Sequence, residues 1–381
     1  MEKSKYPKVP VQITIKTLSG LESVLAQELK NFGANAIQLG RRLVRCEGDL
    51  RLLYRINLEA RTALRVLTPI KRFTATSDKS LYHGVRDIEW VHYLSVDGTL
   101  WIDVVNQSKR FRNSQYLAQK CKDAIVDQFR STTGRRPSVS KENPQLRLNV
   151  HINQRGKATL SIDSSGDGLQ RRGYRSSGGQ APLNEVLAAG LLMLAGYDGE
   201  SIFVDPFCGS GTLIAEAALM AARKAPGLNR RFGFEQWRNF DAELYTDLRK
   251  SLIQNEQKPP YPILAGDKDE AQLALAKSSL TKLGLYDHVT WHHGDFESLP
   301  LSKSQSLVVT NPPYDLRVQS GDIESLYQRF GDHLKHNFMG CTAWVLSGNR
   351  PALKRIGLKP SEKIPLKNGP LDADFWRFEL Y

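Results

Sequence analysis

Residues Ile202–Thr212 read IFVDPFCGSGT, and this stretch decides the fold. An apolar run ends at Asp205, glycines follow at Gly209 and Gly211, and a helical pattern over Leu213–Ala222 begins at once. A strand that turns on glycines straight into a helix opens an α/β unit. The two glycines permit positive φ and let backbone approach a ligand closely. The amides at the helix start can hydrogen-bond an anion or carboxylate. Taken alone, G-x-G is also an ordinary turn between a strand and a helix. Ile214 stands where a dinucleotide fingerprint needs glycine or alanine, and no G-K-[ST] follows, which excludes a P-loop.

The alternation continues outward. Asn184–Ala195 has the pattern of a helix. Short apolar runs at Ile263–Asp267, Val289–His292, Leu307–Thr310 and Ala343–Leu346 predict strands, and Ala271–Leu283 predicts a helix between the first two. Such order predicts a mostly parallel sheet covered by helices, with ligands outside the carboxyl ends of the strands. Asp374–Tyr381 alternates and predicts an edge strand, with Trp376 packing rather than meeting substrate.

Three further motifs fall at strand ends. In Gly266-Asp267-Lys268-Asp269 a carboxylate can accept from both hydroxyls of a ribose. About sixty residues separate Asp205 from Asp267, against roughly 20 in a minimal unit. Pro226–Pro260, with RRFGFEQW, supplies the required insertion. Asp269 is also a good helix N-cap. In Gly294-Asp295-Phe296 the acid can accept from an adenine amino group and the ring can pack against adenine. The most specific motif is Asn311-Pro312-Pro313-Tyr314. Its prolines stiffen the backbone and remove two donors. What remains is acceptor-rich: the Asn311 side-chain oxygen and the Pro312 carbonyl can both accept from an –NH2 group. Holding both N–H groups favours a more tetrahedral, nucleophilic nitrogen. Tyr314 can stack on a base taken out of its own stack. An isolated N-P-P is ordinarily a turn; its position after the glycine loop and two acidic strand ends favours function.

The upstream half differs. Ser164–Gly179, SSGDGLQRRGYRSSGG, reads as a loop or linker. Before it, Val11–Ile15, Leu100–Val105, Leu146–Ile152 and Thr159–Ile162 predict strands, Leu18–Phe32 and Ser114–Phe129 predict helices, and Asn57–Thr68 reads as either. This is an α+β pattern. Of 53 Lys+Arg and 40 Asp+Glu, residues 1–180 hold 31 and 16, so the whole net charge of +13 lies in the first half. That asymmetry suits a polyanion partner, which basic surface attracts by counterion release. No apolar run is long enough for a membrane span and no secretory leader is evident. Cys46, Cys121, Cys208 and Cys341 form no C-x-x-C pair, so reduced thiols in a cytoplasmic protein are expected. Cys208 reads as shaping its loop. His292 and His293 beside Asp295 lack a third ligand, so no metal is expected.

The order DPFCGSGT, GDKD, GDF, NPPY resembles class I methyltransferases that modify exocyclic amino groups. RNSQYLAQKCKDAIVDQF (Arg112–Phe129), RRGYR (Arg171–Arg175) and APLNE (Ala181–Glu185) resemble THUMP-bearing RNA methyltransferases of the RlmL type, over nearly the whole chain. The resemblance implies a Rossmann-like class I methyltransferase domain at 184–381, a linker at 166–183, a THUMP domain at 56–165 and a ferredoxin-like domain at 1–55. It implies S-adenosyl-L-methionine bound by Asp205, Phe207, Gly209, Gly211, Thr212, Asp267, Lys268, Asp295 and Phe296. The target amine falls to Asn311, Pro312, Pro313 and Tyr314. RNA falls to Lys109, Arg110, Arg112, Lys120 and Lys122, with Phe111 and Tyr116 interleaved, and to Arg171, Arg172 and Arg175. The implied reaction is guanine N2 methylation of 23S ribosomal RNA. Two-headed relatives carry a second methyltransferase domain that would follow Tyr381, so one reaction is expected here. Transfer RNA as substrate, adenine N6 methylation of RNA or DNA, and a non-catalytic RNA-binding assembly role remain open. A monomer is favoured, though no sequence feature decides it.

Overall fold

The computed structural model describes residues 11–175, 183–299, 306–313 and 320–381. The chain forms two compact units. The first takes the chain up to Lys16, Ala26–Leu169 and Arg230–Leu248; the second takes Thr17–Leu25, Gln170–Asn229 and Arg249–Tyr381.

In chain order the first unit is built from β1 (Val11–Lys16), most of α1 (Glu22–Asn31), β2 (Asn35–Gly40), β3 (Leu43–Gly48), α2 (Leu50–Glu59), β4 (Arg65–Thr74), α3 (Asp78–Arg86), β5 (Thr99–Asn106), α4 (Ser114–Thr133), β6 (Ser138–Val139), β7 (Leu146–Ile152) and β8 (Lys157–Asp163). The ambiguous stretch Asn57–Thr68 is both things: α2 ends at Glu59 and β4 starts at Arg65. The strands make one sheet in the order β2-β3-β1-β4-β8-β7-β5-β6. Pro69 lies in the interior strand β4 where the register with β8 shifts, the place where a missing N–H is tolerated. Ser164 and Ser165, which open the glycine-rich stretch, are fully buried and bond Asn57 through their hydroxyls at 2.9 Å. The segment Arg230–Leu248 belongs to this unit. Phe234 stacks on Tyr54 at 4.4 Å, and the Tyr54 hydroxyl accepts from the Asp241 amide at 3.0 Å.

The second unit holds α5 (Glu185–Leu194), β9 (Ile202–Asp205), α6 (Thr212–Ala221), the end of α7 (Ala242–Gln254), β10 (Ile263–Asp267), α8 (Glu270–Leu283), β11 (Val289–His293), β12 (Ser306–Thr310), α9 (Ser320–Asn337), β13 (Thr342–Ser347), α10 (Arg350–Arg355), β14 (Glu362–Asn368) and β15 (Leu371–Glu379). Side-chain caps set the helix starts. Asn184 accepts from two amides of α5, and Asp269 from Ala271 and Gln272 of α8. The sheet order is β11-β10-β9-β12-β13-β15-β14, parallel from β11 to β13 and antiparallel beyond. One expectation is corrected: the final strand is interior. β15 pairs with β13 and β14, and the edge is β14, which carries Pro365. Ala373, Asp374, Phe375 and Trp376 are buried in succession, the mark of a strand covered on both faces rather than of an edge. Trp376 packs into the core with Val345 and Phe378. Among the described residues, no helix is long and apolar enough to cross a membrane.

Candidate active site

Four neighbouring parallel strands, β11, β10, β9 and β12, deliver the motifs to one end of the second unit's sheet. Register pairs Ala265 with Asp205 and Val308 with Val204. Asp267 and Asn311 therefore end up on either side of the glycine loop. The loop is tied down by backbone groups. The Gly209 amide donates to Asp267 Oδ2 at 2.7 Å, and the Cys208 amide to the Gly266 carbonyl at 2.9 Å. Gly211 starts α6 at φ +79°, and a Cβ there would meet Ala276 Cβ at 2.6 Å. Gly209, at φ +52°, has open space where a Cβ would point. Gly211 is thus required by packing against α8, and Gly209 leaves the loop's outer surface clear.

A cavity of about 430 Å³ opens there. Asp205, Phe207, Gly209, Thr212, Asp267, Lys268, Asp295, Phe296, Asn311 and Pro313 all line it. The proposed cofactor and amine residues thereby converge, apart from three. Gly211 works from behind the loop, Pro312 is buried, and Tyr314 lies outside the described residues.

Each acid has a distinct environment. Asp267 Oδ1 accepts from the Asp269 amide at 2.9 Å, so each oxygen is oriented by one backbone N–H. A carboxylate has about four acceptor positions, which leaves about two for a diol. Asp205 is fully buried. Its Oδ1 accepts from Thr310 Oγ1 at 2.6 Å and from the Phe207 amide at 3.2 Å. Burial outweighs these bonds and, with Asp267 adding, pushes its carboxyl up to about 7. Asp295 accepts from Arg329 at 3.2 Å. Arg329 also bonds Glu297 at 2.9 Å and lies over the Phe296 ring at 5.4 Å. Phe296 is itself buried against Phe207 and Phe330. Cys208 is buried, and desolvation pushes its thiol well up, so it stays a thiol that shapes the loop. His292 bonds the Ser298 hydroxyl at 2.9 Å.

Asn311 has the most informative environment. Its Oδ1 is buried and, among the described residues, has no hydrogen-bond partner. An unsatisfied buried acceptor costs roughly 1–3 kcal/mol, and the residue that carries it lines the cavity.

Sequence reading missed Arg329 and Thr310. Thr310 directly precedes the N-P-P motif, and its hydroxyl fixes Asp205. Arg329 carries no motif; only the fold of α9 brings it to Asp295.

The basic residues divide. Lys109, Arg110 and Arg112 are exposed on the first unit. Lys120 lies over the exposed Tyr116 ring at 5.6 Å, and Lys122 pairs with Asp123 at 2.7 Å. Phe111 is buried in that unit's core and is not a stacking surface. Arg171 is exposed. Arg172 is corrected outright: it is 3% exposed and pairs with fully buried Glu216 at 2.7 Å. Glu216 also accepts from the Tyr174 hydroxyl at 2.9 Å. Arg175 is half-buried and donates to the Leu183 carbonyl at 2.6 Å and the Thr212 hydroxyl at 3.0 Å, while pairing with Glu185. The RRGYR segment therefore braces α5 and α6 rather than presenting an arginine row.

A parallel sheet with a glycine loop, an oriented acid on the next strand and an acceptor-rich Asn-Pro-Pro turn defines an S-adenosylmethionine-dependent methyltransferase. The donor set suits that cofactor: acids for hydroxyl and amino groups, an open glycine surface, and carboxylates near a sulfonium. Family comparison agrees. Residues 172–376 match an RMKL-like methyltransferase domain, 75–163 a THUMP domain, and 12–67 an RlmL ferredoxin-like domain. The chain is 38% identical over 365 residues to a Synechocystis sp. protein provisionally named RNA methyltransferase slr0064, covering 95% of both. It is 37% identical to the ribosomal RNA large subunit methyltransferase K/L of Syntrophotalea carbinolica, covering 97% of this chain and 54% of that one, so it spans about half of that relative. The structure of SMU.472, assigned as a methyltransferase and solved with SAH, aligns at a TM-score of 0.87 with 26% identity, covering 98% of this chain and 99% of that one. The chain belongs to the RMKL-like methyltransferase family and carries a THUMP domain.

Proposed function

We propose that this protein methylates an exocyclic amino group of a base in RNA, and that the group is guanine N2 of large-subunit ribosomal RNA. The observation that carries the amine is the buried Asn311 Oδ1, without a hydrogen-bond partner among the described residues, on a residue that lines the cavity. The THUMP domain and the basic first unit support RNA. The name of the Syntrophotalea relative supports the ribosomal target.

The cofactor, when bound, supplies a methyl group on a cationic sulfur. Asp267 is assigned the ribose hydroxyls, Asp295 the adenine amino group, and Phe207 and Phe296 the wall for the ring. Asn311 Oδ1 accepts one N–H of the target amine, and the Pro312 carbonyl is assigned the other. Held this way, the nitrogen's lone pair is turned away from ring conjugation. As the new N–C bond forms, the nitrogen becomes acidic and its proton passes to solvent, so no strong base is required. Lys109, Arg110, Arg112, Lys120 and Lys122 are assigned to RNA phosphates. Residues 56–165 are assigned as the RNA-anchoring region.

The test is nucleoside mass spectrometry of size-separated RNA from cells with and without the gene. Loss of N2-methylguanosine from large-subunit RNA alone is expected. Its loss from transfer RNA moves the substrate, loss of N6-methyladenosine overturns guanine, and no change in any methylated nucleoside overturns the enzymatic assignment. In vitro, Asn311→Ala is expected to abolish turnover while SAH affinity stays within about threefold, a shift under ~1 kcal/mol. Normal turnover would remove Asn311 from the amine site.

A further inference from the structure

A second cationic cluster lies in the first unit, away from α4. Strand alternation places Lys16 beside buried Ile15, Arg45 between buried Val44 and Cys46, and His151 between buried Val150 and Ile152. Each therefore projects from the face opposite those core residues. Thr14 pairs with Arg45 across β1 and β3, which puts Lys16 and Arg45 on one face. Arg42 stands in the turn between β2 and β3 at φ +58°, a conformation costly for a non-glycine residue. α4 buries Leu117, Cys121 and Ile125 against Leu148 and Val150, so it covers the other face from His151.

These cations are close enough to act on one another. Burial lowers the Lys16 ammonium from the usual lysine range, and Arg45 and Arg42 lower it further. Burial likewise lowers the His151 imidazole, with Lys16 and Arg45 adding. Two other cations of this sheet are matched by acids: Arg65 by Asp163, and Arg147 by Asp103 at 2.9 Å. Among the described residues no carboxylate forms an ion pair with Lys16, Arg45 or His151. Glu47, two residues from Arg45, is exposed. Lys16, Arg45 and His151 are half-buried like charges with no ion-paired acid among the described residues; such charges raise the free energy of the fold, and an anion arriving from outside removes that cost.

We propose that Lys16, Arg45 and His151 form a phosphate subsite for an RNA backbone, on the face of the sheet opposite α4. The assignment rests on RNA being the substrate. A guanidinium suits the planar pair of phosphate oxygens, while the ammonium and imidazole supply point donors. Contact of this kind is independent of base sequence, so it anchors RNA and leaves selection of the target to the cavity in the second unit.

The experiment uses the full-length chain and a homopolymeric RNA, poly(A), titrated by fluorescence anisotropy across a salt series. Lys16→Gln with Arg45→Gln is expected to weaken binding about tenfold at low salt and to reduce the log–log salt slope by about 1 to 2. Lys16→Arg with Arg45→Lys is expected to keep the slope, and SAH affinity is expected to stay unchanged in both. NMR titration of His151 in the wild-type chain provides a readout without mutation: added RNA should raise its pKa. Wild-type binding and slope in the glutamine variant, with poly(A) still bound by the wild type, would overturn the subsite and leave the RNA reading standing. No RNA binding by the wild type would overturn both. A His151 shift with orthophosphate but none with RNA would overturn the RNA assignment in favour of a free phosphate.

Discussion

Lys109–Arg112 (KRFR) and Arg171–Arg175 (RRGYR) look alike on paper: short, basic and interrupted by one aromatic residue. Their surroundings differ completely. In the first, the aromatic Phe111 turns into the core and the cations stay at the surface. In the second, Arg172 and Tyr174 turn into the core and both meet Glu216, forty residues downstream. The determinant is a distant acid. A buried arginine is tolerable only with a hydrogen-bonded counter-charge. Glu216 and Glu185 supply the counter-charge for RRGYR as ion-pair partners, and among the described residues no acid pairs with KRFR.

The largest test of this contrast is Arg172→Ala. It strands Glu216 in the core of the second unit with only the Tyr174 hydroxyl, and removal of one partner of a buried pair costs about 3–5 kcal/mol. Urea denaturation should show a loss of that size. Arg172→Ala with Glu216→Leu should recover part of it, since removing both charges removes the stranded carboxylate. A single variant as stable as wild type would mean the pair contributes nothing and would dissolve the contrast.

Much of the fold and site was legible in sequence, for local reasons. The interior parallel strands β10, β9, β12 and β13 announced themselves, because a doubly covered strand is a short unbroken apolar run; β11, VTWHH at the sheet's edge, is mixed in composition. Asp205, Asp267, Asp295 and Asn311 could be expected together because a parallel sheet puts its ligands at strand ends, and they line one cavity. Illegible were the features set by distant partners. β14 was missed because EKIPLKN has few apolar residues and lies at an edge; its register comes from β15. Arg329 lies in a helix with ordinary amphipathic spacing and gains meaning only across space from Asp295. Arg172 was noticed as a cation for RNA and not as a core residue, because its partner Glu216 sits inside an otherwise apolar helix, TLIAEAALMA.

Asp205 supplies the intermediate case, a buried acid with no ion-paired cation among the described residues. Its carboxyl is raised to about 7, against roughly 3.9 in an unfolded chain. Between those values the folded state holds a proton that the unfolded state has lost. Stability from this group therefore falls as pH rises through that window and levels off above about 7. Asp205→Asn should flatten the wild-type decline by on the order of 2 kcal/mol between roughly pH 5 and 8. Parallel stability curves for the two proteins would show that the Thr310 hydroxyl and the Phe207 amide already compensate the charge.

The smallest effect belongs to the exposed segment. Reversal of Arg112 and Lys120 to glutamate should leave stability within about 0.5 kcal/mol, as for surface changes in general. RNA affinity should fall about tenfold, with a log–log salt slope shallower by about 2, because each phosphate neutralised contributes to counterion release. Arg175→Ala is the control within RRGYR. It removes a charge of the same sign, but from a guanidinium that holds Leu183 and Thr212 of the second unit's cavity wall. Its expected signature is weaker cofactor binding with an unchanged RNA salt slope. If both variants flattened the slope equally, RRGYR would be touching phosphate despite its acids, and burial would have been the wrong criterion for separating the two segments.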